Sequence, residues 1–141
     1  MISTRDYFGS WYGSPLITPV LQNNCMRLLS ACNKLEAMML QDKVKMPTNI
    51  KTKSQISGDK LGGFRPKGNG IGAGDGSSHC EALGVDRYDP SSSIDDWCMA
   101  NSGKGGKLEQ CGIYLEHPSK TEGWSHWTIR PPASGKRVFM P

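Results

Sequence analysis

Two of the three histidines in this chain, together with one aspartate, are residue types that could bind a zinc ion. His79 precedes Asp86 by seven residues, and His126 lies near the C-terminus in the run Trp-Ser-His-Trp. A mononuclear catalytic zinc takes three nitrogen, sulfur or oxygen ligands at roughly 2.0–2.2 Å and keeps a fourth position for water. Two imidazoles and one carboxylate meet this requirement, so we predict a zinc site formed by His79, Asp86 and His126.

The segment that contains the first two candidate ligands resembles the signature SxHxxGxAxD. That signature belongs to the zinc D-Ala-D-Ala carboxypeptidases and L-Ala-D-Glu endopeptidases, which cut the stem peptides of bacterial peptidoglycan. Ser77, His79 and Asp86 match it, whereas Ala82 and Gly84 exchange the two small residues and keep their size. The resemblance implies zinc as the cofactor and a peptidoglycan peptide as the substrate.

The C-terminal part of the chain carries the rest of the resemblance, which extends from about residue 57 to the end. In the family, the third ligand is a histidine on a later strand, usually after a tryptophan, and Trp124-Ser125-His126 fits this arrangement. Residues 112–141 are similar to the phage-encoded branch of the family. Three residues are expected to contact the substrate: Ser77, Asn69 and Trp124.

The family's catalytic base is a carboxylate three residues before the last ligand, and Gly123 occupies that position here. Glu122 lies one residue further back. In an extended strand it would share a face with His126, because alternate residues of a strand point to the same side. We therefore predict that Glu122 deprotonates the attacking water. Glu116 and Asp89 are alternatives, and a site without a base is another.

The resemblance also implies an arginine that holds a substrate carboxylate or stabilises the tetrahedral intermediate. The run Gly63-Phe64-Arg65-Pro66 is similar to the family's Ser-Gly-Tyr-Arg turn, although an apparent insertion separates it from Ser57-Gly58. Arg65 is therefore the expected catalytic cation, with a solvated loop arginine as the alternative interpretation. His117 is expected to be a surface histidine.

Neither the cysteines nor the glycine-rich loop indicates a further cofactor. The five cysteines are odd in number and form no CxxC pair, which favours reduced, buried thiols over a disulfide framework or a zinc ribbon. The glycine-rich run at 68–74 lacks the preceding strand and following helix that a phosphate-binding loop needs. We therefore do not expect nucleotide binding.

One long helix is predicted in the N-terminal third. Thr18 is a typical N-cap and Pro19 a typical first helical residue. An apolar stripe with helical spacing then runs towards Gln41 and consists of Leu21, Cys25, Leu28, Cys32, Leu35 and Met39. The stripe spans fewer than three full heptads, so packing against the domain's own sheet is favoured over a coiled-coil seam between subunits.

The rest of the chain predicts short elements. Helices are expected over 94–100, capped by Ser93, and over 108–111, ended by Gly112. Strands at 113–115 and 125–129 would form a central antiparallel hairpin, 137–140 a last extended piece and 49–53 an edge strand. The spacing of His79 and Asp86 indicates a strand that turns and returns. The expected class is α+β: a small central antiparallel sheet, with an N-terminal helix and short helices packed on it and the zinc site on its open face.

Length and composition limit the possible functions. A chain of 141 residues with 36% hydrophobic residues predicts one domain with a small core, here residues 16–141 as a zinc peptidase-like domain behind an N-terminal arm, residues 1–15. The net charge of +4 indicates a solvated surface that would suit an anionic cell-wall polymer, without the dense basic patch of a nucleic-acid binder. We expect no membrane span and no signal peptide, and therefore synthesis in the host cytoplasm.

These features favour a phage or prophage zinc peptidase that hydrolyses a D-amino-acid-containing bond in peptidoglycan. It would act as an endolysin released to the cell wall or as a virion-associated wall hydrolase, and the aromatic N-terminal arm could bind other virion proteins. The alternative is a tail or capsid structural protein that keeps the peptidase fold but has lost efficient catalysis. The arm and Gly123 at the base position favour that alternative.

Overall fold

A computed structural model describes residues 1–59, 61–68 and 74–141, which form four α-helices and one four-stranded sheet. The helices are α1 (Thr4–Phe8), α2 (Pro19–Gln41), α3 (Ser93–Ala100) and α4 (Lys107–Cys111). The strands are β1 (Gly84–Tyr88), β2 (Tyr114–Glu116), β3 (Trp124–Thr128) and β4 (Val138–Phe139). This is the α+β class expected from the sequence.

The sheet has the strand order β1-β3-β2-β4. β3 pairs antiparallel with both β1 and β2, so the predicted central hairpin is confirmed. β4 pairs parallel with β2, which makes the sheet mixed rather than purely antiparallel. The two-residue β4 returns beside β2 after the long connection from β3, and no pattern in so short a strand specifies its direction.

Helix α2 begins and ends as predicted. The Thr18 side chain accepts a hydrogen bond from the backbone N–H of Leu21 at 3.2 Å, and Pro19 is the first helical residue. Five residues of the predicted stripe are fully buried in the domain's own core: Cys25, Leu28, Cys32, Leu35 and Met39. Among the described residues, no helix combines the length and apolar character that crossing a bilayer requires.

Two local predictions need correction. Residues 50–53 form a turn, closed by a bridge between Asn49 and Ser54, instead of an edge strand. The Asn49 amide donates to the carbonyls of Ile56 and Gly58, which stabilises the turn against an extended strand. At α3, the Ser93 side chain does not cap the helix. The buried Asp89 carboxylate instead accepts from two backbone N–H groups of its first turn.

Residues 1–15, the expected arm, place three apolar side chains in the core and leave Met1 and Tyr12 exposed. Ile2, Tyr7 and Phe8 are each less than 5% exposed. The Tyr7 hydroxyl donates to the Gly84 carbonyl at 2.8 Å, and the Tyr7 carbonyl accepts from the backbone N–H of Phe64 at 3.0 Å. Helix α1 thus stabilises the first residue of β1 and the loop that carries Arg65.

Candidate metal centre

The three predicted metal ligands come together beside the paired strands β1 and β3. Asp86 of β1 lies directly opposite His126 of β3 in the antiparallel register, so the two side chains are neighbours on one face. His79 lies on a 3-10 helix, Ser78–Glu81, rather than on the expected returning strand. Ala82 ends this helix with a left-handed backbone, φ 56°, and turns the chain into β1.

The spacing of the ligand atoms fits a single small cation. One nitrogen from each histidine and one Asp86 oxygen all lie within 4.8 Å of one another, and all three residues are buried. Asp86 Oδ1 is 3.3 Å from His79 Nε2 and 2.7 Å from His126 Nδ1. Ligands of a tetrahedral zinc site lie about 3.3–3.6 Å apart, given bonds of ~2.0–2.2 Å. The distance from Asp86 Oδ1 to His79 Nε2 has this value, whereas the distance from Asp86 Oδ1 to His126 Nδ1 is that of a hydrogen bond.

The orientation of His79 is set by its other ring nitrogen. Nδ1 is 2.7 Å from the Gly63 carbonyl, which can only accept, so Nδ1 carries a hydrogen and donates it. In the neutral ring, Nε2 then presents a lone pair to the Asp86 carboxylate. Two facing lone pairs repel unless a cation, a proton or a metal ion, lies between them. A backbone carbonyl that orients a histidine in this way is common around protein metal sites.

His126 also has a second partner. Its Nε2 is 3.4 Å from the hydroxyl of Ser78. A serine hydroxyl can donate or accept, so it is compatible with either neutral tautomer of the ring. A Cβ on Gly84 would collide with Ser78 Oγ and lie 3.1 Å from His126 Cε1. Ser78 therefore fills the space that a side chain at position 84 would need.

The Asp86 side chain is a carboxylate anion at neutral pH. Burial alone would raise its pKa, but the His79 and His126 imidazoles outweigh burial and hold the pKa of this carboxyl well below its usual range. Its second oxygen, Oδ2, lies 3.1 Å from Nη2 of Arg65. The carboxylate can thus bind a cation through Oδ1 while Arg65 neutralises Oδ2.

Arg65 is not a solvated loop arginine. Its side chain is 13% exposed, and its Nε donates to the Leu61 carbonyl at 2.7 Å. Its backbone N–H donates to the carbonyl of His79 at 3.3 Å. These bonds hold the guanidinium beside the cluster of His79, Asp86 and His126, the place expected for a catalytic cation.

A cleft of about 540 Å³ opens over the cluster. The predicted substrate contacts Ser77 and Trp124 line it, and Asn69 lies outside the described residues. Glu122 is exposed and is not part of the cleft wall. Asp89 caps α3, and His117 accepts from the backbone N–H of Ser119, so neither takes part in the site.

Glu116 is the carboxylate that the fold brings to the cleft. The β2–β3 register pairs Leu115 with Trp127, and one further step sets Glu116 opposite His126. On the other side of β2, Glu116 is paired with Phe139 of β4. One row therefore crosses the sheet in the order Asp86, His126, Glu116 and Phe139. Burial raises the pKa of Glu116, with the nearby His126 opposing and Asp86 adding to the effect.

The sequence favours Glu122 over Glu116 because Glu122 would lie on the same strand face as His126, whereas the position of Glu116 relative to His126 depends on the pairing of two strands. The signal that could have found Glu116 is the register of the β2–β3 hairpin, which the sequence predicts as a pair but without its alignment. Comparisons with protein-family models, with curated proteins and with solved structures gave no match to this chain.

Proposed function

We propose that this chain is a phage-type zinc peptidase that hydrolyses a D-amino-acid-containing bond in the stem peptides of peptidoglycan. The observation that carries the proposal is the convergence of one nitrogen of His79, one carboxylate oxygen of Asp86 and one nitrogen of His126 within 4.8 Å of one another. The Gly63 carbonyl supports it, because it leaves the lone pair of His79 directed at Asp86. Two imidazoles and one carboxylate form a donor set that suits zinc in hydrolytic enzymes.

A divalent ion at these three ligands would activate water and polarise the carbonyl group of the scissile bond. Glu116 is the group that would accept a proton from the attacking water and pass it to the leaving amine. Its raised pKa suits this exchange, because a general base works best when its pKa approaches the working pH. Arg65 would stabilise the negative charge that develops on the carbonyl oxygen.

Two features favour an enzyme over a structural virion protein with an inactive site. The ligand cluster lies in a cleft of about 540 Å³ that also contains Arg65 and one carboxylate, Glu116. Three apolar side chains of residues 1–15 that an arm could use for docking, Ile2, Tyr7 and Phe8, are in the core, whereas Met1 and Tyr12 are exposed. Delivery as an endolysin or as part of a virion, with virion proteins as partners, belongs to the same proposal.

The proposal is tested by release of amino groups from purified peptidoglycan, with the zinc content of each protein sample measured in parallel. Wild type should bind about one zinc ion per chain and release amino groups. His126→Ala should lose both properties. His117→Ala is the matched control, because this histidine lies outside the cleft, and it should retain both. A wild-type protein that binds zinc but is as inert as His126→Ala would refute the enzymatic function and support the structural alternative.

A further inference from the structure

A second arginine, Arg130, lies in the wall of the same cleft. Its Nη1 donates to Glu81 Oε2 at 2.8 Å, and its Nη2 donates to the Gly76 carbonyl at 2.9 Å. Its backbone N–H donates to the hydroxyl of Thr128 at 3.0 Å, just after β3 ends. Within the described residues, these side-chain bonds use two of the five N–H donors of a guanidinium. The group is therefore oriented and keeps donors for a ligand.

The ion pair with Glu81 leaves Arg130 able to bind a ligand. The two side chains are 40% and 44% exposed, and ion pairs at such exposed positions contribute little stability. A ligand carboxylate can form charge-assisted hydrogen bonds with the N–H donors that Glu81 and Gly76 leave free, and such bonds can form in pairs on the planar fork. A ligand carboxylate can thus bind to Arg130 while Glu81 keeps its orientation.

The two arginines of the cleft differ in what they can bind. Arg65 contacts Asp86 and the Leu61 carbonyl, and in the proposed reaction its remaining N–H donors would serve the carbonyl oxygen of the scissile bond. Arg130 is anchored to Gly76, which precedes His79 by three residues. Chain connectivity limits that separation to about 11 Å, a span that one to three residues of extended peptide cover. A carboxylate bound by Arg130 would therefore lie within about three residues of peptide from the metal-ligand cluster, which is the range in which a residue next to the scissile bond would bind.

We infer that Arg130 binds a free carboxylate on the residue that supplies the amine of the scissile bond and leaves after cleavage. This inference rests on the proposed function. Pro132 and Phe139 line the same cleft and offer an apolar surface to a small side chain on that residue. Two peptidoglycan bonds supply this chemistry. A C-terminal D-alanine carries its own free carboxylate, and a D-glutamate linked through its side chain keeps its α-carboxylate free. Both place the negative charge next to the bond that is cut.

The test uses stem-peptide analogues in which a methyleneamine replaces the scissile amide, so that no turnover occurs. One pair ends in D-alanine and the other in γ-linked D-glutamate, each prepared with the free carboxylate and with a carboxamide. Binding to the zinc-loaded protein is measured by calorimetry. For at least one pair, wild type should bind the acid about 10-fold or more tightly than the amide, which is the usual worth of a charge-assisted hydrogen bond. The pair that shows this preference identifies the source of the carboxylate.

Arg130→Gln should reduce the preference to below about threefold, and Arg130→Lys should keep part of it because the charge remains without the planar fork. Arg137→Gln is the matched control. Arg137 donates to the Ile113 carbonyl and stacks on Tyr114 outside the cleft, so its substitution should leave the preference unchanged. Equal binding of acid and amide by wild type, no binding of either, or a preference that survives in Arg130→Gln would overturn the inference.

The peptidoglycan assay on the same wild-type sample separates this inference from the proposed function. An active enzyme without a preference for the acid refutes only the role of Arg130. An inert protein that prefers the acid through Arg130 refutes the peptidase and leaves a carboxylate-binding site.

Discussion

Asp95 of α3 should make the stability of the domain fall as the pH rises. Its side chain is 2% exposed, and its Oδ2 accepts from the Thr121 hydroxyl at 3.2 Å. Burial raises the pKa of Asp95 from 3.8 to about 6; a hydrogen bond from Ser125 opposes this shift, and the charge of Asp89 adds to it. Because the folded state has the higher pKa, it binds the proton more tightly than the unfolded state does. The associated stability is complete below pH 3.8 and is lost as the pH rises through 6.

The size of the effect follows from the pKa difference. A shift of about two units, at ~1.4 kcal/mol per unit, corresponds to about 3 kcal/mol between pH 4 and pH 8. Asp95→Asn carries a neutral side chain at every pH, so its stability should lack this pH dependence. At pH 8, where the wild type has lost the stability associated with the protonated Asp95, the variant should be more stable than wild type by about this amount. Urea denaturation followed by circular dichroism at pH 4, 5, 6, 7 and 8 measures the difference between the two proteins.

The exposed neighbour Asp96 supplies the control for this prediction. Asp96→Asn should keep most of the wild-type pH dependence, because Asp96 is exposed and its charge contributes least to the raised pKa of Asp95. The difference between wild type and Asp95→Asn removes the contribution of the other titrating groups, which both proteins share. If Asp95→Asn has the same pH profile as wild type, the argument that burial raises the Asp95 pKa is refuted.

Two further substitutions test the site. Glu116→Gln should lower peptidoglycan turnover by ~10²–10⁴-fold, which is the usual contribution of a general base, and should still bind zinc. Glu122→Gln changes an exposed position outside the cleft and should stay near the wild-type rate. The reverse result would assign the role of base to Glu122. Gly84→Ala should weaken zinc binding by about 10–100-fold, because its Cβ displaces Ser78 and presses on His126. Gly103→Ala, where a Cβ meets nothing within 4 Å, should leave the affinity unchanged, and equal affinities in both variants would refute the steric argument.

The sequence predicts those parts of the fold that depend on local signals. The Thr18 cap, Pro19 and the apolar stripe of α2 act within one element, and the helix has the predicted ends. The β2–β3 hairpin follows from two short apolar segments joined by a turn. The metal ligands were predicted from their family resemblance, and the structure brings them together.

What the sequence could not predict depends on long-range contacts. Tyr7 is buried because it bonds to Gly84, 77 residues away, and the sequence around Tyr7 carries no sign of this partner. Glu116 reaches the cleft through the alignment of β2 with β3, which a pattern of apolar residues does not specify. The 3-10 helix at His79 depends on the Ser77 side chain, which accepts from the backbone N–H of His79 at 3.2 Å.

Titration of zinc into metal-free protein tests the central claim most directly, because binding at His79, Asp86 and His126 precedes any chemistry. Wild type should bind one equivalent. His79→Ala should bind at least ~100-fold more weakly, because it removes one of three ligands, and His117→Ala should match wild type. Cobalt substitution should report the same site by its visible absorption. A wild-type protein that binds no divalent ion, or a His79→Ala protein that binds zinc as tightly as wild type, would contradict the account.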